Sequence, residues 1–371
     1  MSSESLWYTR CPVPTAFSAA IRLGWIEQEF ARDDIAVASL LHSSARVTRE
    51  SHFAHTKPNS FRHGGNIPPI WAYSEGNDVR LIALSWQEEL QAVLVRPDSD
   101  IRSAADLKGR RLSLPQRGHD SIDFWRATVL RGFLSALSTA GLTAENVEFV
   151  DITIERAFLD DSPGATTRDG SLWNAASMRG FQREEAVALL TGKVDAIFSH
   201  GAHAADIKAF TGARIVVDLN QQSDRKLRIN NATPLALTAS GSLIDSRPDL
   251  VARWLARVIE AGEWAKTHRD ETFRIVAAES GVPEEIAHEA YGAALPDSLV
   301  PNLSDENVAA IESQKQHLLQ RGFIRRDFDL EQFIARGPLE EARRLVQERA
   351  KATDGNGHPR AANSAAPTAG K

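Results

Sequence analysis

Cysteine is almost absent from this 371-residue chain, in which Cys11 is the only one. An internal disulfide is therefore excluded, and Cys11 would have the chemistry of a free thiol. An excess of basic residues is also missing: the formal net charge is −6 and the isoelectric point is near 6.0. That balance argues against a nucleic-acid scaffold and against a protein that binds anionic membranes. No apolar run reaches the length of a membrane span. We therefore expect a monomer whose partner is a small molecule, with no nucleic acid and no membrane.

Several familiar signals are missing as well. The N-terminus has no basic head followed by a long apolar core, so we expect a cytoplasmic protein. Neither a Gly-x-Ser-x-Gly elbow nor a Gly-x-Gly-x-x-Gly fingerprint occurs, which disfavours a serine-type hydrolase and a dinucleotide enzyme. His200 and His203 could be a metal pair, but without nearby carboxylates or thiols a hydrogen-bonding role is the better interpretation. We expect no metal and no cofactor.

Short apolar segments alternate with amphipathic ones, which predicts an α/β fold. The segment rich in Asp, Gly, Thr and Ser at residues 160–171 predicts a loop, and the polar tail beyond residue 350 predicts disorder. The main predicted strands cover residues 35–40, 79–85, 92–95, 147–152, 194–198, 213–219 and 235–239. Helices are predicted over residues 123–140 and 184–191, and they dominate from 248 to about 349.

Cys11 begins a Cys-Pro-Val-Pro segment directly ahead of a predicted amphipathic helix over residues 15–30. Pro14 suits the first turn of that helix, where a missing amide proton costs nothing. Unpaired amides and the positive dipole end at a helix start favour a thiolate and a bound anion. A buried, inert cysteine that packs as a small apolar group stays open as an alternative.

Three longer phrases, at residues 106–112, 190–196 and 248–255, make the chain resemble the periplasmic-binding-protein type II fold. The nearest branch contains the sulfonate, nitrate and thiamine-precursor binding proteins. The resemblance implies two α/β lobes with the ligand in the cleft between them and Cys11 at that ligand. The first lobe would comprise residues 1–95 with 220–349, the second lobe residues 96–219, and residues 350–371 would form the disordered tail.

A narrower resemblance rests on two segments. The Cys-Pro-Val-Pro segment is followed, at residues 52–69, by a His-Phe pair, an arginine ten residues after that histidine, and Gly-Gly ahead of Ile-Pro-Pro. This combination is similar to the hydroxybiphenyl sulfinate desulfinase family. The resemblance implies that Cys11 is the essential cysteine, His52 the active-site histidine and Arg62 the sulfinate-binding arginine. It also implies that the Gly65 amide faces the substrate and that Phe53 forms an aromatic wall.

The substrate implied by this resemblance is an aryl sulfinate, a compact anion on a flat apolar ring. Such a ligand needs a cation with directional donors, accessible backbone next to Gly64 and Gly65, and an aromatic enclosure. Trp125 is a candidate for that enclosure. Hydrolysis of the carbon–sulfur bond would release sulfite, with Cys11 as proton donor or nucleophile and His52 orienting the thiol.

Each residue also has an ordinary structural interpretation. His52 could be a buried, hydrogen-bonded histidine, Arg62 an exposed ion-pair partner, Gly64 and Gly65 a simple turn, and Trp125 a packing anchor. Only their joint spacing favours the catalytic interpretation. The polar residues His55 and Lys57 leave the identity of the sulfinate open.

A second function of a different class also stays open. A non-catalytic solute-binding protein could capture a sulfonate-like or other small organic anion in the same cleft.

Overall fold

A computed structural model describes residues 5–160 and 180–355 of the chain. Within these ranges ten strands and 14 α-helices form a mixed α/β architecture, as the sequence predicts. The strands are β1 Ser5–Arg10, β2 Ala36–Ser39, β3 Ser60–Gly64, β4 Val79–Ser85, β5 Gln91–Val95, β6 Arg111–Gln116, β7 Glu148–Thr153, β8 Ala196–His200, β9 Arg214–Asp218 and β10 Leu235–Ser240. The helices are α1 Ala16–Arg22, α2 Trp25–Ala31, α3 Arg46–Ala54, α4 Ile67–Ser74, α5 Phe124–Ser138, α6 Arg183–Leu190, α7 Gly201–Thr211, α8 Gly241–Ser246, α9 Pro248–Thr267, α10 Arg269–Ser280, α11 Glu284–Tyr291, α12 Asp305–Gln320, α13 Leu330–Phe333 and α14 Gly337–Gly355.

The first lobe is built on a five-stranded sheet in the order β2-β1-β3-β10-β4. Strand β1 runs parallel to β2 and β3, whereas β10 lies antiparallel between β3 and β4. On one side of this sheet Phe61 stacks on Trp254 of α9 at a ring separation of 4.1 Å, and both side chains are almost fully buried. Because the parallel strands β1 and β3 end at the same edge of the sheet, the residues that follow them are brought together.

The second lobe is built on another five-stranded sheet, in the order β7-β6-β8-β5-β9. Strand β5 pairs antiparallel with both β8 and β9, so it belongs to this sheet. The predicted assignment of residues 91–95 to the first lobe is therefore wrong. Apolar character gives the position of a buried strand along the chain but not the strand it pairs with.

Two segments connect the lobes. The chain passes from the first sheet to the second between β4 and β5, at residues 86–90, and returns between β9 and β10, at residues 219–234. This double crossing is the two-lobed arrangement that the sequence resemblance implies. It places residues of both connecting segments beside the space between the sheets.

The first predicted helix is interrupted. Gly24 has a φ of 72°, in the left-handed region, and it separates α1 from α2. Thr15 caps α1 by accepting a hydrogen bond from the Ser18 amide, so Pro14 precedes the cap and does not lie in the first turn. Apolar spacing continues across the break, which is why residues 15–30 are predicted as one helix.

The strand and helix predictions omit strands β1 and β3 and helices α3, α4 and α7. Helix α14 extends to Gly355, five residues into the segment predicted to be disordered. The rest of that tail and residues 161–171 of the predicted loop lie outside the described residues. No helix of the described segments is both long and apolar enough to cross a membrane.

Candidate active site

A cavity lies between the two sheets, and its empty space of about 700 Å³ includes open solvent. Clefts of this kind, lined by apolar side chains with a few polar groups, are where small organic molecules bind. Its walls come from both lobes and from both connecting segments, with Cys11, Arg62, Trp125, Glu89 and Asn231 among the lining residues. Six of the seven site residues predicted from the sequence line this cavity: Cys11, His52, Phe53, Arg62, Gly65 and Trp125. The seventh, Gly64, lies against the thiol of Cys11.

Cys11 follows directly after β1 and is partly exposed. Its backbone N–H donates to the carbonyl of His63 at 3.0 Å, which ties it to the neighbouring strand β3. The structure thus places the thiol at the carboxyl edge of the parallel strands, facing the cavity. This position does not fit the alternative of a buried, inert cysteine.

His52 lies in the last turn of α3, and its Nε2 is 3.7 Å from Cys11 Sγ. Its other ring nitrogen, Nδ1, is 2.7 Å from Thr9 Oγ1, which holds the orientation of the imidazole. Burial lowers the pKa of His52 well below its usual range, and the nearby charges of Arg62 and His55 lower it further. The imidazole is therefore neutral at neutral pH, with one nitrogen directed at the sulfur.

Arg62 lies in β3 opposite Thr9 of β1 and is only 2% exposed. Its Nη1 donates to the Gly65 carbonyl at 2.8 Å and its Nη2 donates to Cys11 Sγ at 3.5 Å. Its Nε is buried without a hydrogen-bond partner among the residues that the structure describes. Burial lowers the pKa of this guanidinium, and the negative charge that Cys11 can carry raises it.

The surroundings of Arg62 suit a bound anion. Within residues 5–160 and 180–355 no carboxylate forms an ion pair with Arg62, and none is among the groups that shift its pKa. A buried, uncompensated cation is costly, and a bound anion would remove that cost. The positive charge beside the Cys11 thiol is therefore that of the Arg62 side chain. At the start of helix α1 Thr15 accepts a hydrogen bond from the Ser18 amide, so that amide is not available to an anion, and the role predicted for the helix start stays a prediction.

The two glycines after Arg62 allow close packing. A Cβ on Gly65 would lie 2.4 Å from Asn231 Oδ1, the atom that accepts a hydrogen bond from the Ile67 amide. A Cβ on Gly64 would lie 2.2 Å from Cys11 Sγ. Both glycines are needed for steric reasons, and the simple turn is not a sufficient explanation.

Gly64→Ala is expected to displace the Cys11 thiol, because no Cβ fits at 2.2 Å from the sulfur. Misplacing a reactive group by about 1 Å can cost about 100-fold in rate, and we expect a loss of that order in kcat/KM for sulfite release. Gly337→Ala is the matched control, since a Cβ there meets no described atom within 4 Å. Wild-type turnover by Gly64→Ala would contradict the position of the thiol.

Aromatic side chains form the apolar wall. Phe53 is edge-on to Phe158, at a ring separation of 5.6 Å, and it stacks on Phe124 at 5.7 Å. Trp125 is edge-on to Phe181 at 4.8 Å, and its Nε1 donates to buried Glu185 at 2.9 Å. The predicted aromatic residues Phe53 and Trp125 thus face the cavity. The other three rings, those of Phe124, Phe158 and Phe181, were not predicted as pocket residues, because only their apolar character marks them in the sequence.

The described part of the chain contains no group of three or more side chains suited to hold a metal ion. His200 Nδ1 lies 3.0 Å from Glu89 Oε1, and the His203 ring packs against Phe181 at 5.2 Å. Burial and the neighbouring His200 lower the pKa of His203 to about 4. Glu89 is more than 100 positions away from these histidines in the sequence, so proximity along the chain gave no sign of it.

Two more histidines near the site predict how stability depends on pH. Burial, reinforced by the charge of Arg62, lowers the pKa of both His55 and His63 to about 3. The unfolded chain binds these protons near pH 6.5 and the native protein binds them only near pH 3, so stability falls as pH falls through that window. We expect each residue to cost about 1 kcal/mol of unfolding free energy between pH 6.5 and 5.5.

Urea denaturation at pH 7.5, 6.5 and 5.5 measures this dependence. His63→Gln should reduce the slope, while replacement of His119 by Gln, whose side chain is 59% exposed, should leave it unchanged. An unfolding free energy that stays constant from pH 7.5 to 5.5 would show that these imidazoles accept protons in the native state.

Comparison with known proteins is consistent with this geometry. The chain is 31% identical over 359 residues to the 2'-hydroxybiphenyl-2-sulfinate desulfinases of Rhodococcus erythropolis and Rhodococcus qingshengii, and the alignments cover 90% of this chain and 92% of each relative. A sequence model of the NMT1/THI5-like family matches residues 70–167.

Solved structures show the same architecture. The desulfurization enzyme DSZB superposes with a TM-score of 0.73 at 29% identity, covering 92% of this chain and 99% of that one. A cysteine-to-serine variant of DSZB in complex with biphenyl-2-sulfinic acid gives the same TM-score, at 27% identity and the same coverage. The periplasmic aliphatic sulphonate binding protein SsuA of Escherichia coli shares the fold, with a TM-score of 0.62 at 17% identity over 90% of this chain and 93% of that one.

Proposed function

The chain belongs to the 2'-hydroxybiphenyl-2-sulfinate desulfinase family, and from this premise we propose that it hydrolyses the carbon–sulfur bond of an aryl sulfinate to release sulfite. Its relatives are enzymes that act on carbon–sulfur bonds. We also propose that the reaction is a hydrolysis, that individual residues have the roles given below, and that the protein is a monomer.

The observation that carries the proposal is the buried guanidinium of Arg62. It lies 3.5 Å from the lone thiol, has an unpartnered Nε and has no carboxylate to compensate its charge in the described segments. A sulfinate would supply the missing negative charge and accept charge-assisted hydrogen bonds. Its aromatic ring would lie against the wall that contains Phe53 and Trp125.

The chemistry needs one proton on carbon and one water on sulfur. The sulfinate and a proton give the desulfinated arene and sulfur dioxide: the carbon–sulfur bond breaks, its electron pair stays on carbon, and the proton binds there. Water then adds to sulfur dioxide to give hydrogensulfite and a proton. No electrons are gained or lost overall.

Cys11 is the proton donor in this scheme. A thiolate that attacked sulfur would place two negative charges, its own and that of the sulfinate, beside a single guanidinium. A neutral thiol adds no charge to that of the sulfinate. The neutral His52 can accept the proton released when water adds to sulfur dioxide and return it to the Cys11 thiolate through the nitrogen that lies 3.7 Å from the sulfur, which restores the thiol. Arg62 holds the anion as charge moves from sulfur to carbon.

Rapid-quench mass spectrometry distinguishes the two routes. The proton-donor route leaves Cys11 unmodified at every time point, while nucleophilic attack leaves a transient adduct of sulfur dioxide on Cys11.

Incubation of the protein with 2'-hydroxybiphenyl-2-sulfinate, biphenyl-2-sulfinate and benzenesulfinate, with an assay for sulfite, tests the function itself. We expect catalytic release of sulfite from at least one of these compounds and a matching amount of arene. Tight binding without release would identify the alternative, a solute-binding protein. Light scattering on the purified protein checks the monomeric state.

A further inference from the structure

A second polar group lies in the same cavity, away from Arg62. It consists of Glu89, His200 and Tyr291, which come from the first connecting segment, the end of β8 and the end of α11. Leu90 holds them together, because its N–H donates to the Ala290 carbonyl and its carbonyl accepts from the Gly201 N–H, both at 2.7 Å. We call this group the Glu89 cluster.

The Glu89 cluster contains unused hydrogen-bonding capacity. Glu89 is 3% exposed. Its Oε1 lies 3.0 Å from His200 Nδ1, yet in the described part of the chain neither atom has a partner with hydrogen-bond geometry. Buried polar atoms of native proteins are nearly always paired, so two unpaired atoms side by side in the wall of a cavity indicate a ligand group.

The backbone at this point is shaped to let these side chains approach. Gly201 has a φ of 56°, and a Cβ there would lie 3.0 Å from both Glu89 Oε2 and the Tyr291 hydroxyl. The Tyr291 hydroxyl accepts a hydrogen bond from the Ala202 amide at 3.2 Å, which positions the phenol next to the carboxylate. The cluster is therefore a built arrangement.

The Glu89 cluster and Arg62 are distinct polar parts of the cavity wall. Neither Glu89 nor His200 is hydrogen-bonded to Arg62 or among the groups that shift its pKa. One cavity thus offers a cation at one place and a carboxylate with an imidazole at another. A ligand that satisfies both must carry an anionic group and, elsewhere on its frame, a hydrogen-bond donor.

We propose that the Glu89 cluster is a specificity subsite for a hydroxyl substituent on the ring system of the aryl sulfinate. The hydroxyl donates its proton to Glu89 Oε1 and lies within reach of His200 Nδ1, so both unpaired atoms gain a partner. This inference rests on the proposed function for the identity of the anion. It adds which side chains recognise the hydroxyl, with Glu89 as its acceptor.

Ligand pairs that differ by one hydroxyl test the subsite. Calorimetry with the Cys11→Ser protein would compare 2'-hydroxybiphenyl-2-sulfinate with biphenyl-2-sulfinate, and ring-hydroxylated benzenesulfinates with benzenesulfinate. A hydrogen bond to a charged group corresponds to a preference of about 10- to 100-fold, and we expect at least one hydroxylated compound to bind that much more tightly. Equal affinities within every pair would overturn the proposal.

Glu89→Gln, made in the Cys11→Ser background, should reduce this preference toward unity, because an amide is a weaker acceptor than a carboxylate. The matched control is Glu88→Gln, which removes the neighbouring carboxylate, 51% exposed and paired with Arg228, and should keep the preference. A preference that survives Glu89→Gln would also refute the subsite. The comparison of ligands does not depend on the folding of this variant.

Sulfite release separates the two claims. A hydroxyl preference in binding without sulfite release from the wild-type protein would overturn the proposed function and support the subsite. Release of sulfite at equal kcat/KM from both members of each pair would support the function and overturn the subsite.

Discussion

Cys11→Ser is expected to reduce sulfite release from an aryl sulfinate by about 100- to 10,000-fold, the range of a lost general acid. A hydroxyl is a far weaker acid than a thiol, so the proton needed at the ring carbon is no longer available at neutral pH. The variant should still bind the sulfinate, because Arg62 and the aromatic wall are untouched. Steady-state sulfite assays and calorimetry measure the two effects separately.

The single cysteine makes this experiment easy to control. Alkylation with iodoacetamide should inactivate the wild-type protein with one label per chain, leave the Cys11→Ser protein unlabelled, and be slowed by bound sulfinate. Normal sulfite release by Cys11→Ser would remove the thiol from the mechanism.

Replacing Arg62 by Gln should lower kcat/KM by about 100- to 1,000-fold, since the bound anion loses charge-assisted hydrogen bonds of about 1.5–3 kcal/mol each. The same change removes a buried charge that no described carboxylate balances. We therefore expect the free energy of unfolding to fall by no more than about 1 kcal/mol, the net value of the hydrogen bond to Gly65. Arg62→Lys, which keeps the charge but loses the planar fork, should lie between wild type and Arg62→Gln in activity.

Arg131 provides the matched control for a buried arginine. It is 7% exposed and hydrogen-bonded to Ser313 and Gln314, and it does not line the cavity. Arg131→Gln should destabilise the protein and leave KM unchanged, the opposite pattern to Arg62→Gln. Equal KM values for wild type and Arg62→Gln would show that the anion binds elsewhere.

The sequence predicts which residues come together around the thiol, because these residues lie in two short segments. Cys11 and the run from His52 to Gly65 keep a recognisable spacing, and the pairing of β1 with β3 converts that spacing into proximity. The α/β class was also predictable, since buried strands and amphipathic helices leave different apolar patterns.

The remaining residues of the cavity were not predictable in the same way. Glu89, Asn231 and Tyr291 stand in segments without a motif, and they meet only because two connecting segments and the end of α11 converge. That Arg62 lacks a carboxylate partner in the described segments is equally hidden in the sequence, because a cation is known to be unpaired only when its neighbours in space are known. His200 illustrates this limit. Its sequence context allows a metal ligand or a hydrogen-bonding residue, and its partner Glu89 cannot be recognised because it is distant along the chain.

The linear order of residues by itself determined the α/β class, the lone free thiol and the two segments that hold the thiol, imidazole and guanidinium, because each of these is a local property of composition or spacing. Only the tertiary structure decided that β5 belongs to the second sheet, that Arg62 is buried with no carboxylate partner among residues 5–160 and 180–355, and that Glu89 shares the cavity. These features depend on which distant segments pack together, and packing is set by the whole chain.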